Sequence, residues 1–274
     1  MSKAKIILIS VLIGLIAFVA ILFGTVFCLR HQEIERIGEF SVEISNQDII
    51  STAGFKKGGS IFMLDKEKAT QNIEKSYPEI KVVQIRTVSI NKIQIVIKQR
   101  EKMFYYATEE NYYILDEECK ILEILTLEGE LNTEPTDLIK IDFSIDFTNL
   151  QAGDFASSDY NRNLTQNLYI AIITNVTKQS GENEDYYTRE DMKNSIKSVS
   201  LSQASTLKEN YTRLILLTRT GETLDIAKPE DNLCEKINIC YSAINKLKSE
   251  GESNFTIKIY LDKDGNQKLG YSLA

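Results

Sequence analysis

One histidine, His31, is all the imidazole in these 274 residues. That leaves almost nothing for a catalytic triad or a histidine-ligated zinc site. HExxH, CxxC and GxSxG are all missing, so the common zinc-hydrolase, dithiol and nucleophile-elbow chemistries find no footing. With 3 prolines, 13 glycines and 43% hydrophobic residues the chain is neither collagen-like nor low-complexity, and it is long enough for one to two domains. Basic residues are outnumbered 32 to 39, for a net charge of −7. No lysine or arginine cluster interleaved with aromatics occurs, which argues against a nucleic-acid partner. Four cysteines are few, and Cys28 falls in an apolar run, leaving Cys119, Cys234 and Cys240. Cys234 and Cys240 lie about 240° apart around a helix axis, a poor geometry for a disulfide, so free, semi-buried thiols are expected.

What the chain does have is a run of 24 uncharged residues, Ile6 to Leu29, long enough as a helix to cross the roughly 30 Å hydrocarbon core of a bilayer. It is longer than the apolar core of a cleaved signal peptide and ends in bulky Val26, Phe27 and Leu29. The expectation is an uncleaved signal anchor at 6–29. Residues 1–5 would form a short cytoplasmic tail, and the rest of the chain would lie outside the plasma membrane. Val26 and Phe27 stand where a lipoprotein signal needs small residues, which argues against acylation of Cys28.

Beyond the anchor, Ile34, Ile37, Phe40, Val42 and Ile44 alternate as in a strand. Ser45 and Asp48 make a capping pattern for a short helix with Ile49, Ile50 and Ala53 inward. The stretch GFKKGGSIFMLD (54–65) falls one residue short of a phosphate-binding loop, with Ser60 where the lysine should be. Gly54 suits the left-handed end of the preceding helix, Gly58 and Gly59 a sharp reversal, and Asp65 the N-cap of the next helix. Ile61 and Phe62 are expected to plug the junction into the core. A helix ending at Tyr77-Pro78 and two strands, IKVVQIRTV and NKIQIVIKQR, complete a strand, helix, helix, strand, strand order. Past Arg100 come short strands (MFYYA, NYYIL, KILEIL, LIKID), a helix at 159–178, strands in IKSVSLS, RLILLT and ETLDI, a helix through Leu233 and Leu247, and a hairpin of FTIKIYLD and KLGYS.

Pairs of carboxylates such as Asp116 with Glu118, or Asp142 with Asp146, are expected by chance among so many acidic residues and read as solvated turns. The N-x-Thr sequons at Asn163, Asn175, Asn210 and Asn254 matter only in a glycosylating pathway. No catalytic or metal-binding residues, cofactor or small-molecule substrate are expected.

The segment order, together with GG-S-IFMLD, YPEIKVVQIRTVSINKIQIVIKQREKMFYYA and YYILDEECKILEI, resembles the FtsQ/DivIB family of bacterial cell-division proteins. Two departures stand out: Lys102-Met103 follows Arg100-Glu101 where the family usually has a proline, and the family's D-x-x-G turn appears as Asp116-Glu117-Glu118-Cys119. The resemblance implies an α+β chain with one transmembrane helix, a POTRA domain of βααββ order at 33–100, and a mixed antiparallel β domain with flanking helices at 101–274. It also implies a non-enzymatic scaffold of the division septum. Such a scaffold would bind FtsL- and FtsB/DivIC-type membrane proteins outside the bilayer and help control septal peptidoglycan synthesis. The partner-binding residues carried over are Tyr260, Leu261, Gly265, Leu269, Gly270 and Tyr271. The alternative is a POTRA-containing envelope module that binds translocating polypeptides.

Overall fold

The computed structural model describes residues 3–127, 134–143, 145, 149–156, 159–174 and 193–273. It divides into two compact units, Met1–Arg100 and Glu101–Ala274.

The first unit opens with helix α1 (Lys3–Val26). Its side chains are described at 10–21, where Val11, Leu12, Ile13, Leu15, Ile16, Phe18 and Ile21 all face outward. Among the described residues no helix is long and apolar enough to cross a membrane. Then follow β1 (His31–Ile37), α2 (Asn46–Ala53), α3 (Lys66–Ser76), β2 (Ile80–Ser89) and β3 (Lys92–Gln99). The strands pair in the order β1-β3-β2, with β1 parallel and β2 antiparallel to β3. A parallel pair needs a crossover, and α2 and α3 lie within the one that joins β1 to β2 and β3. Ile49, Ala53, Ala69 and Ile73 of the helices are buried in one cluster with Ile80, Val82, Ile85, Ile95 and Ile97 of the sheet.

The alternation from Ile34 to Ile44 does not make one strand. β1 stops at Ile37, and Gly38 turns the chain at φ +80°. The following backbone is held by side chains instead: Arg36 donates to the Ile44 carbonyl, and Ser41 N–H donates to Gln99 Oε1 at 2.6 Å. Phe40 and Ile44 still pack on the core, but from a loop.

The second unit holds β4 (Phe104–Ala107), β5 (Asn111–Leu115), β6 (Ile121–Thr126), β7 (Ile139–Asp142), α4 (Asp159–Thr174), β8 (Ile196–Ser205), β9 (Asn210–Thr218), β10 (Thr223–Ala227), α5 (Leu233–Ser249), β11 (Phe255–Leu261) and β12 (Gln267–Leu273). Among the described residues these strands form one nine-stranded sheet, ordered β12-β11-β10-β9-β8-β7-β4-β5-β6. Leu164, Leu168, Ala171 and Ile172 of α4 and Ile237, Cys240, Ile244 and Leu247 of α5 share a core cluster with Leu214, Leu216, Leu224, Ile226, Ile257 and Ile259 of the sheet. The end of the helix expected at 159–178, residues 175–178, lies outside the described residues, as does Asp146.

The sheet is more mixed than the sequence pattern implies, because β4–β7, β7–β8 and β10–β11 are parallel pairs. The physical reason for the last is α5. A helix between β10 and β11 carries the chain back before the next strand, so β11 runs the same way as β10.

Candidate functional site

An edge strand with an open hydrogen-bonding side is the feature of the second unit most suited to binding a protein. Among the described residues β12 is such a strand: it pairs with β11 alone, in the antiparallel register Leu269↔Ile259, Tyr271↔Ile257 and Leu273↔Phe255. Directly opposed residues in an antiparallel pair point to the same face. Phe255, Ile257 and Ile259 are buried in the core, so Leu269, Tyr271 and Leu273 continue the core-facing side of the sheet by one strand. Yet they are 54%, 63% and 53% exposed. The helix layer that buries their neighbours on β11 does not bury them. β12 therefore offers an apolar stripe and an unpaired backbone edge together, while Lys268, Gly270 and Ser272 face the other way.

The hairpin holds this strand in place through its tip. Asp262 accepts hydrogen bonds from the Asp264 N–H (3.0 Å) and the Asn266 N–H (2.8 Å), which lower its carboxyl pKa. Gly265 takes φ +81°, a left-handed conformation that glycine adopts without Cβ strain, and Lys208 Nζ donates to the Asp264 carbonyl at 2.6 Å. On the outer face the Tyr260 ring lies over Gly270. A Cβ added there would come within 3.3 Å of its Cε1, so the glycine gives the ring its seat.

Of the residues suggested by resemblance, Leu269, Gly270 and Tyr271 are on the edge strand and Gly265 in the turn. Tyr260 and Leu261 lie one strand inward, on β11, which is paired on both sides. Leu273 was not among them. Its signal was in the sequence, as the third apolar residue of L-x-Y-x-L at period two.

In the first unit Gly54 ends α2 at φ +74°, its N–H reaching the Ser51 carbonyl, and Asp65 caps α3 by accepting from the Lys68 N–H at 3.0 Å. Gly58 reverses the chain at φ +85°. A Cβ on Gly59 would stand 3.2 Å from the Lys56 carbonyl. A phosphate loop's first glycine follows a strand, whereas Gly54 follows a helix. Ile61 is buried but Phe62 is 68% exposed, which corrects the expectation that both plug the core: the single turn Ile61–Met63 can aim only one of two adjacent residues inward.

Cys119 takes φ +56° and is fully buried, its sulfur 3.2 Å from Thr165 Oγ1 of α4. Burial pushes its thiol up to about 12, and that of buried Cys240 likewise; both are held as neutral thiols with little nucleophilic character. Asp116, expected with Glu118 in a solvated turn, is instead fully buried and holds that turn from inside. Its Oδ1 accepts from the N–H groups of Glu118 and Lys120, each at 2.8 Å. Among the described residues no group of three or more His, Cys, Asp or Glu side chains is placed to hold a metal ion.

A three-stranded sheet with both helices on one face, in βααββ order, is the POTRA architecture, and residues 37–100 match the family model for the FtsQ-type POTRA domain. The chain thus carries an FtsQ-type POTRA domain, and it is related to the FtsQ/DivIB proteins of bacterial cell division. It is 38% identical to the cell division protein DivIB of Clostridium acetobutylicum over 99 residues, 36% of this chain and 37% of that protein. DivIB of two Clostridium botulinum strains, Hall and Loch Maree, matches at 32% and 31% identity over 83 residues, 30% of this chain and 32% of each relative. The matched regions thus span about a third of the relatives' own length.

Proposed function

We propose that this chain is a bitopic scaffold of bacterial cell division. On this reading α1 is the core of a membrane anchor at residues 6–29, with residues 1–5 in the cytoplasm. A POTRA domain at 33–100 and a β domain at 101–274 lie outside the plasma membrane at the division septum. The relationship to DivIB supports the division role, and the outward-facing apolar side chains of α1 support the anchor.

The observation that carries the partner-binding part is β12. Its open edge can take an added strand, main-chain hydrogen bonds supplying affinity, while the stripe Leu269, Tyr271 and Leu273 selects alternate apolar side chains. FtsL- and FtsB/DivIC-type membrane proteins are the partners this reading names, and control of septal peptidoglycan synthesis is the consequence it assigns to their binding. Gly270 on the edge strand and Gly265, Tyr260 and Leu261 behind it act by shaping the hairpin.

The test has two parts. A functional fluorescent fusion should form a band at midcell, and depletion should give filaments or failed septa. Uniform membrane signal with normal division would remove the division role. A full-length variant carrying Leu269→Thr, Tyr271→Thr and Leu273→Thr should fold as the parent does, because all three side chains are exposed, yet lose co-purification with the FtsL/DivIC pair. Retained co-purification would move the binding site away from β12.

A further inference from the structure

We infer that the turn between α2 and α3, carrying Phe62 and Met63 among Lys56, Lys57, Lys66 and Lys68, is a second membrane contact of this protein. It lies on the anionic headgroups and upper acyl chains of the leaflet from which α1 emerges. The inference rests on the reading of α1 as a membrane anchor.

Three observations converge on it. The first is where the turn is tied. Leu29 N–H donates to the Gly59 carbonyl and Gly58 N–H to the Leu29 carbonyl, both at 2.8 Å, and Ile61 N–H donates to the Phe27 carbonyl at 3.0 Å. Cys28 and Ser60 form a β-bridge between them. Helix α1 ends at Val26, and three residues of extended chain reach at most about 10 Å. The turn is therefore fastened to the first residues after α1, with no linker to carry it away.

The second is what the turn exposes. Phe62 is 68% and Met63 86% exposed, although Ile61 beside them is buried. The Phe62 ring stands 5.3 Å from that of Phe27, the residue directly following α1. Aromatic and flexible apolar side chains at a membrane boundary gain by entering the interface, where a ring can leave water without a fixed partner.

The third is charge. Lys56, Lys57, Lys66 and Lys68 are all exposed around the two apolar residues. The acidic residues of the same stretch are Asp65 and Glu67, and Asp65 is engaged in capping α3. The turn is thus net basic in a chain of net charge −7. Lysine stems can lie along the acyl boundary while their ammonium groups meet lipid phosphates. Two points of attachment, helix and turn, would fix the tilt of the POTRA sheet over the bilayer, which a single flexible tether does not.

The absence of tryptophan makes the test direct. Two single-tryptophan variants of the full chain, Phe18→Trp within α1 and Phe62→Trp in the turn, are reconstituted into vesicles of brominated phosphatidylglycerol and of brominated phosphatidylcholine. The inference expects F18W to be quenched in both lipids. It expects F62W to be blue-shifted and quenched in phosphatidylglycerol, with loss of that quenching in phosphatidylcholine or when Lys56, Lys57, Lys66 and Lys68 are changed to Gln. Quenched F18W with water-like F62W emission would overturn the inference and leave the anchor standing; a protein partner would then be the occupant to seek. Quenching of F62W indifferent to lipid charge would overturn the anionic-headgroup assignment. Unquenched F18W would remove the anchor itself, and the inference with it.

Discussion

Cys119 occupies a backbone conformation that glycine takes without strain and a β-branched residue scarcely takes at all (φ +56°). Its side chain offsets the strain by filling a fully buried site against Thr165. Cys119→Gly should therefore change stability by no more than about 1 kcal/mol, relief of the backbone opposing loss of the buried sulfur. Cys119→Val should cost about 2 kcal/mol or more, and midpoints of urea unfolding would separate the two. The D-x-x-Cys spelling made the turn legible in the sequence, but its supporting neighbour on α4, 46 positions away, was not. Glu222 is a second residue whose setting was hidden. Burial pushes its carboxyl up, but hydrogen bonds from Thr218, Thr220, Lys248 and its own N–H outweigh that and bring it from the ordinary 4.5 down to about 2. A carboxylate depressed on folding stabilises fully above its unfolded value and loses that contribution as pH falls through the folded one. The stability gap between the parent and Glu222→Gln should accordingly be widest near neutrality and shrink between about pH 4.5 and about pH 2, in melting temperatures measured across that range.

Among elements, the last strand of the POTRA sheet is fixed by an ion pair inside the fold. Arg100 meets Glu74 of α3 at 2.8 Å with 1% and 13% of the two side chains exposed. Glu74 also accepts from the Val82 N–H at 2.9 Å, and Arg100 Nε donates to the Ile80 carbonyl. Helix α3 is thereby clamped to the start of β2 and the end of β3. Arg100→Met strips the guanidinium from a nearly buried carboxylate and should destabilise by about 3 kcal/mol. The double change Arg100→Met with Glu74→Leu should recover part of that loss, as a double-mutant cycle in denaturant would show. The elements themselves were legible where periodicity and caps agreed: Ser45, Gly54 and Asp65 mark α2 and α3, and Ile93, Ile95 and Ile97 mark β3. The end of β1 was not. A loop whose backbone is satisfied by Arg36 and Gln99 keeps the same apolar alternation as a strand, and the sequence does not distinguish a ladder of hydrogen bonds from a set made by distant side chains.

At the scale of the whole chain, pairing between strands far apart in sequence is what local pattern cannot supply. Nothing in LIKID says that its neighbours are to be β4 and β8, both parallel to it. This short strand has a consequence for how the protein reaches its native state. Within the sheet β7 is the link between the block β4–β6 and the block β8–β12, and it touches β4 through only two residue pairs and β8 through three. Its partners on β8 lie about sixty residues away, so joining them closes a long loop before any contact compensates the lost entropy. The two blocks can fold as separate hairpin-rich pieces, with β7 the seam that closes last and opens first. Pulsed hydrogen exchange during refolding should then show amides of β9 and β5 protected before those of β7, and a proline at Ile141 should leave two half-sheets rather than an unfolded chain.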